Sequence, residues 1–157
     1  MVKFIHAADV HLGIMVAGVG KSQKEIAREL KQAAFDAFER VIDTAIEEEV
    51  DALVLAGDLL DSSRTFVKEK CFLQSQLNRL APFGIPVVVA LGNHDAGSAY
   101  VSGKHIYTFG SAVETIEVET RNGERVAFSG FSYEVPVVAT RKVQEYPTKS
   151  VNCDIHI

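Results

Sequence analysis

The chain has 157 residues, 47% of them hydrophobic and 24% charged, with a net charge of -5. That length suits one ordinary hydrophobic core and is short for two, so a single domain over residues 1–157 is expected. No apolar stretch approaches the roughly 20 residues that cross a bilayer, and Lys and Arg are scattered along an acidic chain, which is not the footprint of a dedicated nucleic-acid-binding domain. Asp9 arrives before a secretory apolar region can develop, so a cytoplasmic protein without membrane contact is expected. Cys71 and Cys153 make neither a disulfide framework nor a zinc-ligand spacing, and both read as reduced and buried.

In chain order, Val2 to Ala8 is an apolar run that predicts a strand, and Ile14 to Gly20 a small, glycine-rich loop. Ser22 and Glu25 have the spacing of a capping box. From Ile26 through Leu30, Ala34, Phe38, Val41, Ile42 and Ala45, apolar residues recur every three or four positions, which predicts a long amphipathic helix. Its end, Glu47-Glu48-Glu49, opposes the helix dipole and is expected to be solvated. Asp51 to Ala56 is a continuous apolar strand of the buried parallel type, Thr65 to Leu80 a second helix, and Pro86 to Leu91 a third strand. Beyond Asp95 the pattern becomes antiparallel in character. Val113 to Glu119 and Arg125 to Phe131 flank the turn signal Asn122-Gly123, Pro136 to Gln144 suggests a short helix, and Cys153 to Ile157 a last strand.

Each of the first three strands runs out into a short polar motif: Asp9-Val10-His11, Gly57-Asp58-Leu59-Leu60-Asp61 and Gly92-Asn93-His94-Asp95. Taken singly, Gly with Asp or Asn at a strand exit is ordinary turn chemistry. Three in order, on successive strands of an alternating strand and helix pattern, point to a shared metal site, for which oxygen and imidazole donors suit manganese, iron or zinc. Alternation along an extended strand predicts that Asp9 and His11 share a face. Gly57 allows close approach beside Asp58, whose carboxylate can bridge two ions, and Gly92 introduces Asn93, whose amide oxygen can bind one. His94 is free for proton donation, with Asp95 expected to orient it by a ring-nitrogen hydrogen bond. Asp61 reads either as a partner of a metal ligand or as a cap on the next helix.

These motifs resemble the calcineurin-like metallophosphoesterases. Phe4 to Leu12, Val50 to Asp61 and Gly130-Phe131-Ser132-Tyr133 resemble the SbcD-type bacterial DNA repair exonucleases within that superfamily. The resemblance implies an α/β, four-layer αββα sandwich, incomplete at the C-terminus, with two divalent metal ions, most suitably Mn. It also implies that Asp9 and His11 hold the first ion, Asp58 bridges, Asn93 holds the second, and His94 acts on the leaving group during phosphodiester hydrolysis. DNA is then the substrate of the full-length protein and an SbcC-like coiled-coil ATPase its partner. The family pattern continues with further histidine ligands after a strand like Cys153 to Ile157, so this segment is expected to hold one ion or none and to hydrolyse weakly or not at all. His156 lies within that strand, before the family position, and reads as structural, as do His6 and His105. An unpaired edge in an incomplete second sheet would favour a homodimer. The alternatives are a general phosphatase or small-molecule phosphodiesterase, since the same motifs serve those reactions, and a non-catalytic assembly module of the same fold.

Overall fold

The computed structural model describes residues 1–13, 24–60, 67–98, 100–120, 123–148, 153 and 155–157. Asp61, Ser22 of the expected capping box, the expected loop from Ile14 to Gly20 and Asn122 of the expected turn lie outside the described residues.

Strands β1 (Phe4–Ala8), β2 (Ala52–Ala56), β3 (Val87–Ala90) and β4 (Ile106–Thr108) form one parallel sheet in that order. The first crossover contains helix α1 (Lys24–Glu47) and the second contains α2 (Val67–Asn78), as parallel strands require. Strands β5 (Glu114–Glu119), β6 (Arg125–Gly130) and β7 (Ile155–His156) form a second sheet, antiparallel between β5 and β6 and parallel between β6 and β7.

The pleat divides the first sheet between two cores. Leu53 and Leu55 of β2 and Val87 and Val89 of β3 face Phe35, Phe38 and Ile42 of α1 and Leu73 and Leu77 of α2. Full burial of a leucine such as Leu53 or Leu55 stabilises the fold by about 2 kcal/mol each. The opposite face, Ala52 and Val88 with partly buried Val54 and Ala90, meets Val118, Val126 and Phe128 of the second sheet. Helices, first sheet and second sheet make three layers of the expected sandwich. Where a short helix was expected over Pro136 to Gln144, the described residues form only a single 3-10 turn at Lys142–Glu145. Val135, Val137 and Val143 there are exposed, so no packing offsets the low helix propensity of β-branched residues after a proline.

Two further expectations are corrected. Cys71 is exposed, because the buried stripe of α2 is Glu69, Leu73, Gln76 and Leu77 and position 71 falls off it. Cys153 is buried as expected. The second half is not purely antiparallel: β4, too short to show a period, adds in parallel to β3 and carries Phe109 into the inter-sheet core.

A candidate metal centre at the strand ends

β1, β2 and β3 are neighbours and parallel, so their C-terminal ends open on one edge of the sheet. Past those ends the first two chains stay paired: Asp9 N donates to Gly57 O, His11 N to Asp58 O and Leu12 N to Leu59 O at 2.8–3.1 Å. Gly57 N donates in turn to Ala90 O at 2.8 Å. Within this paired segment Asp9, His11 and Asp58 have φ of +53°, +46° and +50°. Left-handed backbone is uncommon outside glycine, though Asp and His tolerate it better than most, and it is stored where surrounding bonds hold it in place. The expectation that strand alternation aligns Asp9 with His11 is therefore corrected. Both residues lie beyond β1, and their left-handed turns, not the pleat, bring the side chains together.

The three side chains converge. Nε2 of His11 is 3.8 Å from Asp9 Oδ1 and 3.8 Å from Asp58 Oδ2. One donor atom from each residue falls within 4.8 Å of the other two. At 3.8 Å these are not hydrogen bonds, and Nδ1 of His11 is buried without a partner, so the protein satisfies neither ring nitrogen among the described residues. Two carboxylates and an unsatisfied imidazole gathered on one point fit a divalent cation, which would balance the like charges and take a lone pair from the ring.

The β3 exit completes the surroundings. Gly57 and Gly92 abut, since a methyl on Gly57 would lie 3.3 Å from Gly92 Cα. A methyl on Gly92 would lie 2.2 Å from Asp58 Oδ1, so only glycine there leaves room for that carboxylate. The same oxygen accepts the backbone N–H of His94 at 2.9 Å, which fixes the third motif against the second. The His94 ring packs edge-on to His11, with centroids 5.2 Å apart. Asn93 is exposed, and its amide makes no hydrogen bond among the described residues. The structure thus brings Asp9, His11 and Asp58 into contact and places Asn93 and His94 on the adjoining loop.

Asp95 does other work than expected. It is wholly buried, and its carboxylate accepts the backbone N–H groups of Leu59 and Leu60, each at 2.9 Å, and of Gly92 at 3.2 Å. It ties the β2 exit to the β3 exit instead of orienting the His94 ring. Tyr100 lies beside it: burial first, and then the Asp95 and Asp58 carboxylates, push the phenol's pKa up and keep it protonated. His105 is satisfied by Leu77 O at 3.0 Å and His156 by Ser129 Oγ at 2.7 Å, both structural as expected. His6 stands on the exposed face of β1, outside the cluster.

Comparison with known proteins adds to this geometry. The calcineurin-like phosphoesterase family profile matches residues 2–149. The uncharacterized metallophosphoesterase YhaO of Bacillus subtilis is 34% identical, over 98% of this chain and 39% of YhaO. DNA double-strand break repair protein Mre11 of Aeropyrum pernix is 35% identical over 62% of this chain and 22% of its own length. The Mre11 protein of Haloferax volcanii is 36% identical over 61% of this chain and 20% of its own length. The chain therefore spans well under half of the relatives it matches.

Proposed function

Because the chain belongs to the calcineurin-like phosphoesterase family, we propose that its full-length protein is a metal-dependent phosphodiesterase acting on DNA, with Asp9, His11, Asp58 and Asn93 as metal ligands and His94 as the proton donor. The observation that carries this reading is the convergence of Asp9, His11 and Asp58 on one point through three left-handed backbone positions. Divalent ions in such a site activate water and neutralise charge on the phosphoryl group. The chain's own residues set the stage for that chemistry. Asp58 shares its carboxylate between the ion site and the His94 amide, which holds the His94 ring at the mouth of the cluster. His94 is exposed there, within reach of a leaving oxygen.

DNA is favoured over a small phosphoester by the likeness to proteins named for double-strand break repair. The proposal extends to manganese as the ion and, by resemblance to the SbcD-type enzymes, to a coiled-coil ATPase as partner. Two measurements test it. Calorimetric titration of the chain with manganese should show weak binding that Asp58→Ala reduces by more than about tenfold. The full-length protein with manganese should release nucleotides from a DNA duplex. Hydrolysis confined to chromogenic phosphodiesters would transfer the reading to a small-molecule enzyme, and absence of manganese binding would leave a non-catalytic module.

A further inference from the structure

A groove of about 420 Å³ runs between α1 and α2, lined by Arg28, Glu29, Lys31, Gln32, Phe35 and Lys68. Cations elsewhere on the molecule are of both kinds, paired and unpaired, and Arg40, Lys104 and Arg141 are also exposed with no carboxylate partner among the described residues. Lys3, Arg79 and Lys142 each pair with a carboxylate. Arg28, Lys68 and Lys70 are exposed and pair with none among the described residues. The ammonium groups of Lys68 and Lys70 lie instead over aromatic rings, 5.9 Å from the centroids of Phe35 and Tyr100. Of the carboxylates nearby, Glu69 is buried and already bound to Lys31 at 2.7 Å, and Glu29 lines the groove as its remaining acidic group.

The groove adjoins the metal centre. Glu69, between Lys68 and Lys70, packs so closely on Gly13 that a methyl there would meet its Cγ at 2.8 Å, and Gly13 is two residues beyond His11. Lys70 covers Tyr100, which in turn neighbours Asp95 and Asp58. An acidic chain thus keeps uncompensated cations on long, flexible stems along one approach to its candidate catalytic edge. Such stems suit successive phosphates of a polyanion better than one fixed small anion, which would call for a convergent cage.

We propose that the α1–α2 groove is the track for the sugar-phosphate backbone of the DNA that the metal centre cleaves, with Arg28, Lys68 and Lys70 making phosphate contacts. This rests on the DNA reading of the site above. The track gives affinity and register without base specificity, and its contribution falls with salt as counterions compete.

Fluorescence anisotropy of a labelled DNA duplex, measured on the full 157-residue chain over a series of salt concentrations, tests it. The triple variant Arg28→Ala, Lys68→Ala, Lys70→Ala should weaken binding at least about tenfold at low salt and flatten the log K against log salt slope by roughly 2 to 3. A charge-matched variant away from the groove, Arg40→Ala, Lys104→Ala, Arg141→Ala, should leave the slope near that of the parent chain. Equal loss in both variants, or none in the groove variant, overturns the groove while leaving DNA as the substrate. No binding by the parent chain at low salt overturns the groove, and nucleotide release by the full-length protein then decides whether the DNA reading survives.

Discussion

Gly92 shows how much of the centre depends on one absent side chain. A β-carbon there meets Asp58 Oδ1 at 2.2 Å and Asp58 N at 2.5 Å, and the backbone atom cannot swing aside as a flexible side chain would. Gly92→Ala must displace the β2 exit, at a cost of about 1–3 kcal/mol. Because the displaced group is itself a candidate ligand, manganese affinity should fall together with the melting temperature. Unchanged titration of the alanine variant would separate Asp58 from the ion site. The composition of the site was legible from sequence, since Asp9, His11 and Asp58 each follow an apolar run and do converge. Its internal wiring was not. Asp95 sits next to His94 in the chain, which suggested that pair, yet its carboxylate reaches residues 59 and 60 across the sheet. Nothing local in sequence marks a carboxylate that serves distant backbone amides. The left-handed turns at Asp9 and His11 were hidden for a similar reason, because cross-strand bonds impose them and residue preference does not.

At the scale of elements, periodicity located both long helices and the buried strands within a few residues, because each buries a stripe or face that its spacing displays. The short β4 exists only through pairing with β3 and leaves no period of its own, whereas β7 falls inside the strand expected over Cys153 to Ile157. The end of α1 joins these two cases. Its glutamates oppose the helix dipole and are exposed, as expected, but the missing cation comes from the residue just before β1: Lys3 Nζ donates to both Glu48 O and Glu48 Oε2 at 2.9 Å. The hydrogen bond from Lys3, and then its charge, hold the Glu48 carboxyl below its ordinary pKa. A depressed carboxylate favours the fold above its unfolded pKa and loses that contribution as pH falls through the folded value. Lys3→Met should therefore raise the Glu48 pKa toward that of a free glutamate, read directly by carboxyl-carbon NMR titration. An unmoved titration would mean the pair does not form in solution.

For the whole molecule, the two faces of the first sheet are unequally covered, and this predicts where the fold opens first. On the helix face the core joins β1, β2 and β3 to α1 and α2 through fully buried residues such as Phe38, Ile42, Leu53, Leu73 and Leu77, almost all wholly removed from water. On the other face the second sheet is held mainly by Val118, Val126 and Phe128 against Ala52, Val88 and Phe109. Between the sheets an apolar cavity of about 300 Å³ is lined by Phe4, Val54, Phe128 and Ile157, and Phe4 and Ile157 are still 38% and 41% exposed. Apolar area left in contact with water contributes nothing to holding the layers together, so the second sheet should detach at lower free energy than the helix-backed sheet melts. Native-state hydrogen exchange resolves the two. Amides of Val118, Val126 and Phe128 should exchange through a subglobal opening, ahead of those of Leu53, Leu55 and Val89, which should require global unfolding. Addition of manganese should slow the second group more than the first, because the candidate ligands extend from β1, β2 and β3 and none from β5 to β7. A single exchange free energy for all these amides would instead show that the sparse inter-sheet contacts bind the layers into one cooperative unit.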